Sequence, residues 1–473
     1  MSEAKSKPKK REVKDERGNS YVLKDSIGEG GQGVVCITDH KNTLVKICKR
    51  PKSDRENWME HIRWLMLQDL EGLHIAKPVA RIVKPQPGYV MELMDGLQSL
   101  QELMEATEVA LHEQDVQTYL EQGGIRRRLM LMARLARTLA SLHGRGMAFG
   151  DLSPANVFIS ESQEYSEVWL IDCDNISVNQ RASFDIAPGS AASVYTPFYG
   201  APEIVRGEAM INSLTDSWSF AVIAYRLLTA IHPFMGDLVN DGEPELEEEA
   251  LRGKLPWVDH PIDDTNRASF GLPRELVLLK PLADLFDQCF NAGRDCPEYR
   301  PSLSEWAEKF EHACEWLVDC NGCGSSYFYK PVSKKLACCF CDEAAVSETL
   351  LYLKYYLYDQ SILEIDGAGK SDCWVDTGMR QVLNRGSSVA IKTSPPGSSF
   401  HQNAKSLYQI ALSDNGINIV PVGKTELQIS VGKSKLQKFS QSFQLDMSAR
   451  QGKNIYVLVA NGADMHDACV FKW

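Results

Sequence analysis

The 473-residue chain has no stretch approaching 18 uninterrupted apolar residues, so no membrane-spanning helix is expected and no membrane partner is implied. Its opening, MSEAKSKPKKREVKDERG, lacks the apolar core of an export signal, which points to a cytoplasmic protein. Positive charge is also short. Lys plus Arg number 51 against 63 Asp plus Glu, a net charge of −12, and this excludes a surface built as a whole to coat nucleic acid. The 13 cysteines are an odd count without an export signal, so a disulfide framework is not expected and metal ligation or buried thiols are favoured. No internal repeat of fixed period is visible. Hydrophobic residues at 44% and charged residues at 24% lie near globular averages, which leaves neither global disorder nor a fibre. At roughly 150 residues per domain the length suggests two or three domains.

Residues 1–18 are rich in Lys, Arg and Glu with no hydrophobic period and read as a solvated tail. From Tyr21 to about Lys49, short apolar runs around glycines read as strands joined by loops. Helical spacing then takes over in ENWMEHIRWLMLQDL, RRRLMLMARLARTLASLH, DSWSFAVIAYRLLTA and PSLSEWAEKFEHACEWL. An acidic stretch with Pro and Gly, about Gly236 to Leu272, reads as a long surface insertion, its five glutamates from Glu243 to Glu249 forming a solvated face. Beyond Val346 the period changes to two, in Leu427–Val431, in Phe443–Met447 and in NIYVLVA, with turn signals between. That region reads as a β-sandwich or barrel.

Three groups of residues carry chemistry. Gly28, Gly30 and Gly33, followed by Val35, lie between two expected strands, where backbone without side chains can close over phosphates and present N–H groups to them. Lys46 follows in an apolar strand. Asp151 and Asn156 lie in a loop after a long amphipathic helix, and Asp172, with Asp174 two residues on, comes sixteen residues after Asn156. An acid beside a hydroxyl can orient it and accept its proton, while a carboxylate and an amide oxygen are hard ligands suited to Mg²⁺ on a triphosphate.

On these residues the chain resembles the eukaryotic-type Ser/Thr protein kinases, of the bacterial kind, over about residues 20–312. The resemblance implies a bilobal kinase domain at 19–312 (lobes 19–94 and 95–312); with a zinc ribbon at 313–346, read from cysteine spacing, and a β-rich, sandwich-like interaction domain at 350–473, read from the period-two segments, the expected fold class is α+β. It implies ATP and Mg²⁺ as cofactors. Gly28, Gly30, Gly33 and Val35 correspond to the glycine-rich loop and Lys46 to the phosphate-holding lysine. Glu60 corresponds to that lysine's ion-pair partner, with Glu56 the alternate. Met91, Glu92 and Met94 correspond to the gatekeeper and hinge beside adenine, Asp151 to the catalytic base, and Asn156 and Asp172 to the metal ligands. Thr196 to Glu203 (Thr-Pro-Phe-Tyr-Gly-Ala-Pro-Glu) resembles the end of an activation segment, with Thr196 touching Asp151 and Glu203 paired with Arg300. Asp216 corresponds to the residue that anchors the catalytic loop.

The departures matter too. Phe149-Gly150 replaces the usual His-Arg, which removes the arginine that reads a phosphorylated activation loop. Ser153 replaces the lysine two residues after the base, which implies low activity. Asp172-Cys173-Asp174 replaces Asp-Phe-Gly, and Asp174 is a possible second metal ligand. A nucleotide-binding pseudokinase scaffold and a small-molecule kinase of the aminoglycoside-phosphotransferase type stay open as alternatives.

Six of the cysteines fall between Cys314 and Cys341. Cys320-x-x-Cys323 and Cys338-x-x-Cys341 have zinc-ribbon spacing, and four thiolates leave no open position for water, so the expected Zn²⁺ is structural. Cys339 is a spare thiol, and Cys314 is expected in the preceding helix. The last domain is expected to recruit protein substrates or partners. Ser398-x-x-His401 matches a four-residue element of forkhead-associated, phosphopeptide-reading sandwiches.

Overall fold

Alternating apolar positions and β-branched residues build the first strands. The computed structural model describes residues 11–29, 33–92, 95–163, 165–179, 195–330, 337–344, 350–392, 405–459 and 465–473. Six antiparallel strands, β1 (Arg11–Asp15), β2 (Ser20–Glu29), β3 (Gly33–Thr38), β4 (Thr43–Cys48), β5 (Pro78–Lys84) and β6 (Gly88–Glu92), close a barrel in the order β1-β2-β3-β4-β6-β5. The strand β1 corrects the reading of the tail for residues 11–15. Val13 lies opposite Tyr21 and is 4% exposed, and the buried Asp15 carboxylate accepts the backbone N–H groups of Arg17 and Asn19 and the Tyr21 hydroxyl. One apolar residue among charges shows no period, so the sequence hides this strand.

The helix α1 (Lys52–Met66) buries Trp58, Ile62 and Leu65, spaced four and three apart, against the barrel. Trp58 and Ile62 share a core with Val35, Leu44, Tyr89, Met91 and Ile171. Further helices lie at Leu100–His112, Gly124–Gly144, Ser213–Thr229 and Leu303–Glu315, the last three and α1 on the segments whose spacing predicts them. The helix Ser213–Thr229 is buried on every face, and the Asn212 and Thr215 side chains close a reciprocal cap at its start.

The chain forms two compact units, residues 1–113, 134–270 and 286–303 in the first and 114–133, 271–285 and 304–473 in the second. In the first, the acidic stretch carries regular structure of its own. It forms the helices Asp237–Asn240 and Pro244–Leu251, and it is pinned by buried Trp257 and by Asn266, whose amide donates to the carbonyls of Phe234 and Pro256. Four of its five glutamates are exposed.

In the second unit, a six-stranded antiparallel sheet runs in the order Trp374–Asn384, Leu350–Asp359, Met465–Lys472, Asn454–Val459, Leu427–Val431, Gln437–Phe439. A four-stranded sheet runs Ser388–Lys392, Ser406–Ser413, Gly416–Pro421, Phe443–Asp446. Alternate residues of both, among them Leu351, Leu353, Ile410, Ile419, Ile429 and Val457, meet in one core. The three segments of period two are strands here. The Ser398–His401 element lies outside the described residues. Among the described residues, no helix is long and apolar enough to cross a membrane.

One buried ion pair ties distant parts of the first unit together. The Arg300 guanidinium donates to both Glu203 oxygens at 2.7 and 2.8 Å and to the Gly293 carbonyl at 2.8 Å, and it stacks on Trp218. Replacing Arg300 by Met leaves Glu203 buried without its partner. Urea unfolding is expected to show a loss of about 3–5 kcal/mol, against less than about 1 kcal/mol for Arg206→Met, which breaks a more exposed pair with Glu208. Equal losses would remove the anchoring role.

Candidate active site

Strand β4 carries Lys46 on the barrel face that packs against α1, opposite Val35 on β3 and Tyr89 on β6, and leaves it 2% exposed. Gly33 allows this packing, since a Cβ there would meet the Ile47 carbonyl oxygen at 2.6 Å and Lys46 Cε at 3.1 Å. The ammonium donates to Asp172 Oδ1 and, at 2.8 Å, to Asp174 Oδ1. Asp174 Oδ2 accepts the Trp58 indole N–H at 2.9 Å.

Glu60 does not make the ion pair expected of it. Trp58 is the inward residue of α1, and positions two apart on a helix differ by about 200°, so Glu56 and Glu60 both point outward and are exposed. The apolar spacing Trp58, Ile62, Leu65 held that signal in the sequence.

The second half of the site comes from the loop after the helix Gly124–Gly144. Asp216 holds that loop, its carboxylate accepting the N–H groups of Phe149 at 2.7 Å and Gly150 at 2.9 Å, with His143 Nε2 at 2.9 Å from the same group. Gly150 has φ +98°, and a Cβ would lie 2.9 Å from the Asn175 carbonyl oxygen, so an arginine cannot stand there without strain. Asp151 accepts the Thr196 hydroxyl at 2.7 Å, and the Asn156 amide donates to the Asp151 carbonyl at 2.8 Å. Ser153 is buried.

Lys46, Asp151, Asn156 and Asp172 line one cavity of about 1230 Å³, together with Gly33, Val35 and Thr196. Met91 is fully buried in the core beside the cavity and Glu92 is exposed at the end of β6. Gly28 pairs with Val35 across β2 and β3, while Gly30 and Met94 lie outside the described residues.

The electrostatics follow from two carboxylates sharing one ammonium. Burial pushes the Asp172 carboxyl up, and the adjacent Asp174 adds to this, to about 7. Asp174 is held below the usual carboxylate range. Its burial works the other way, but the hydrogen bond with Asp172, the Lys46 charge and the Trp58 N–H more than offset it. Burial also works against the Lys46 ammonium, and the two carboxylates raise it. Asp172 has left-handed backbone, φ 59°, a strained conformation for a residue with a Cβ. Hard oxygen donors at Asp172 and Asn156, beside a lysine ammonium, suit a divalent cation carried on a polyphosphate.

In the second unit, Cys320, Cys323, Cys338 and Cys341 bring their sulfurs within 4.8 Å of one another. The separations are 3.5 Å for Cys320–Cys341 and 3.6 Å for Cys323–Cys338, near the edge of about 3.8 Å of a tetrahedron with 2.3 Å Zn–S bonds. The two turns match: Gly324 N–H donates to the Cys320 carbonyl and Asp342 N–H to that of Cys338, each at 3.0 Å, and both residues have positive φ. Cys339 is exposed outside the cluster, and Cys314 lies in the helix Leu303–Glu315. The donor set suits zinc.

The family model described as "Protein kinase domain" matches residues 21–310. The chain is similar to the serine/threonine-protein kinase pkn2 of Myxococcus xanthus, 35% identical over 137 residues, which is 28% of this chain and 15% of that protein. It is 25% identical over 240 residues to the maternal embryonic leucine zipper kinase of Xenopus tropicalis, covering 50% of this chain and 33% of the relative. Myosin light chain kinase A of Dictyostelium discoideum is 26% identical over 241 residues, 50% of this chain and 74% of the relative. The chain thus spans a third or less of the length of the first two of these relatives.

The four-sulfur cluster carries a direct test. Metal analysis of the purified chain is expected to return about one zinc per chain, and Cys338→Ser to lose it together with thermal stability. A value far below one in freshly prepared protein would remove the zinc reading.

Proposed function

Because this chain belongs to the protein kinase family, whose model covers more than half of its residues, we propose that it transfers the γ-phosphate of ATP to Ser or Thr hydroxyls of proteins with the help of Mg²⁺. The barrel strands and the helices that follow are read as the two lobes of the kinase fold. The observation that carries the proposal is Asp151, its carboxylate bonded by the Thr196 hydroxyl and its main-chain carbonyl by the Asn156 amide, in the same cavity as Lys46 and Asp172. Bound MgATP supplies the transferable phosphoryl group. Asp151 orients the acceptor hydroxyl and takes its proton as the new O–P bond forms and the bond to ADP breaks. Lys46 neutralises phosphate oxygens, and Asp172 and Asn156 are the metal ligands. Gly28, Gly33 and Val35 cover the nucleotide, with Gly30 completing the loop and Met91, Glu92 and Met94 flanking the base. Thr196, on the Asp151 carboxylate, shapes an acceptor site suited to a small hydroxyl side chain.

The four cysteines hold a structural zinc within a ribbon, and the β-sandwich recruits protein substrates or partners. A cytoplasmic setting belongs to the same proposal. The second reading is a nucleotide-binding scaffold, and Ser153 is what favours it, since no cation stands two residues after Asp151 to steady the phosphoryl group in flight. A small-molecule kinase fits less well, because the Thr196–Glu203 segment and its Arg300 anchor serve a protein-acceptor site.

Transfer of labelled γ-phosphate separates these readings. The wild-type chain with MgATP is expected to label itself or a general protein acceptor at Ser or Thr, and Asp151→Asn to cut the rate by at least about 100-fold. Absence of transfer to any protein acceptor, with MgATP still bound, would leave the scaffold and the small-molecule kinase, which a screen of small-molecule acceptors tells apart.

A further inference from the structure

One buried carboxylate has no part in that chemistry. The Asp174 side chain is fully buried and is not among the residues that line the cavity, whereas Asp172 does line it and is 26% exposed. Both Asp174 oxygens are engaged, one by Lys46 at 2.8 Å and the other by the Trp58 indole at 2.9 Å. A carboxylate so enclosed has no oxygen to offer a metal in the cavity. The backbone does not ask for it either, since the left-handed residue of this turn is Asp172 and not Asp174. The acids of α1 are turned outward, so the helix gives Lys46 no anion and contributes a neutral N–H donor through Trp58.

We propose that Asp174 is the fixed counter-ion that aims Lys46 at the nucleotide phosphates, with Trp58 as the residue that positions it. The inference rests on the kinase reading of the cavity and deepens it. Lys46 has two carboxylate partners with different duties: Asp172 faces the cavity and is free to turn to a divalent cation, while Asp174 stays and keeps the ammonium in place. The orientation of Lys46 is therefore set within the same short segment that carries the metal ligand. It does not depend on a charge brought in by movement of α1.

The test uses the full-length chain, with calorimetric MgATP affinity and the separate kcat and KM for ATP of γ-phosphate transfer. Asp174→Asn is expected to weaken MgATP binding and raise KM by at least tenfold. Trp58→Phe, which keeps a ring but removes the N–H, is expected to raise KM three- to tenfold with kcat little changed. Glu60→Gln, outside the site, is expected to stay within twofold. The exchange variant Trp58→Glu with Asp174→Gly, which returns the carboxylate to the helix, is expected to bind MgATP more tightly than Asp174→Gly alone by at least fivefold. Asp174→Asn with affinity and KM within twofold of wild type overturns the proposal, as does a raised Mg²⁺ requirement at unchanged ATP affinity, which would make Asp174 a metal ligand. If Asp174→Asn does not fold, unchanged KM and affinity in Trp58→Phe overturns it. A wild-type chain that binds MgATP and transfers nothing defeats the kinase reading, and the binding comparison still decides the partner of Lys46. A wild-type chain that binds no MgATP overturns both.

Discussion

A single buried ammonium organises the first unit. Burying Lys46 among apolar side chains between the barrel and α1 costs several kcal/mol unless opposite charge is supplied there. That demand draws the segment Asp172–Asn175 against β4 and sets Trp58 against the second oxygen of Asp174. Two carboxylates facing one ammonium leave an excess negative charge. It is relieved by a proton or by a cation, which is why Asp172 rises while Asp174 stays ionised. The same imbalance that would be a defect in a core is accommodated at the edge of a cavity, which Asp172 lines.

The rest of the site is held by main-chain hydrogen bonds to charged side chains rooted in the helical part. Asp216 sits in the first turn of a helix buried on every face, and grips the backbone of Phe149 and Gly150. Arg300 and Glu203 fix the end of the Thr196–Glu203 segment in a comparable way. Loops fixed by a charge at each end need few side-chain contacts of their own, so Gly150 and Ser153 can differ from the family pattern without loosening Asp151. What those positions lack is the positive charge of the family pattern, and not the geometry around Asp151.

The second unit solves a different problem. The ribbon segment is too small for a core of its own, and Val318, Cys320, Tyr327 and Cys338 pack with Leu350 and Val382 of the sandwich. Four clustered sulfurs on one side and a borrowed apolar wall on the other stabilise a segment with little regular structure. The cysteine segment thus packs on the outer face of the six-stranded sheet, where Leu350 and Val382 meet it, while their neighbours Leu351 and Leu383 face the core between the two sheets.

Where local pattern and chemistry coincide, the sequence alone sufficed. The amphipathic helices, the period-two strands of the sandwich, the paired CxxC turns and the spacing of Asp151, Asn156 and Asp172 are short-range properties, legible because neighbours in the chain are neighbours in the element. The strand β1 escaped because its one apolar residue, Val13, packs in a cluster with Val45, Ile82 and Val90, which are distant in the chain. The partner of Lys46 escaped for a related reason. An acid on a helix is a plausible mate by composition, but which acid faces inward depends on the phase of α1, and Trp58 sets that phase with Glu60 on the far side. Which polar side chains line the cavity was legible in the order of residues. Which carboxylate reaches the buried ammonium was decided by packing between a strand, a helix and a turn 126 to 128 residues away, because charge pairing in a core acts through space and leaves no local period to read.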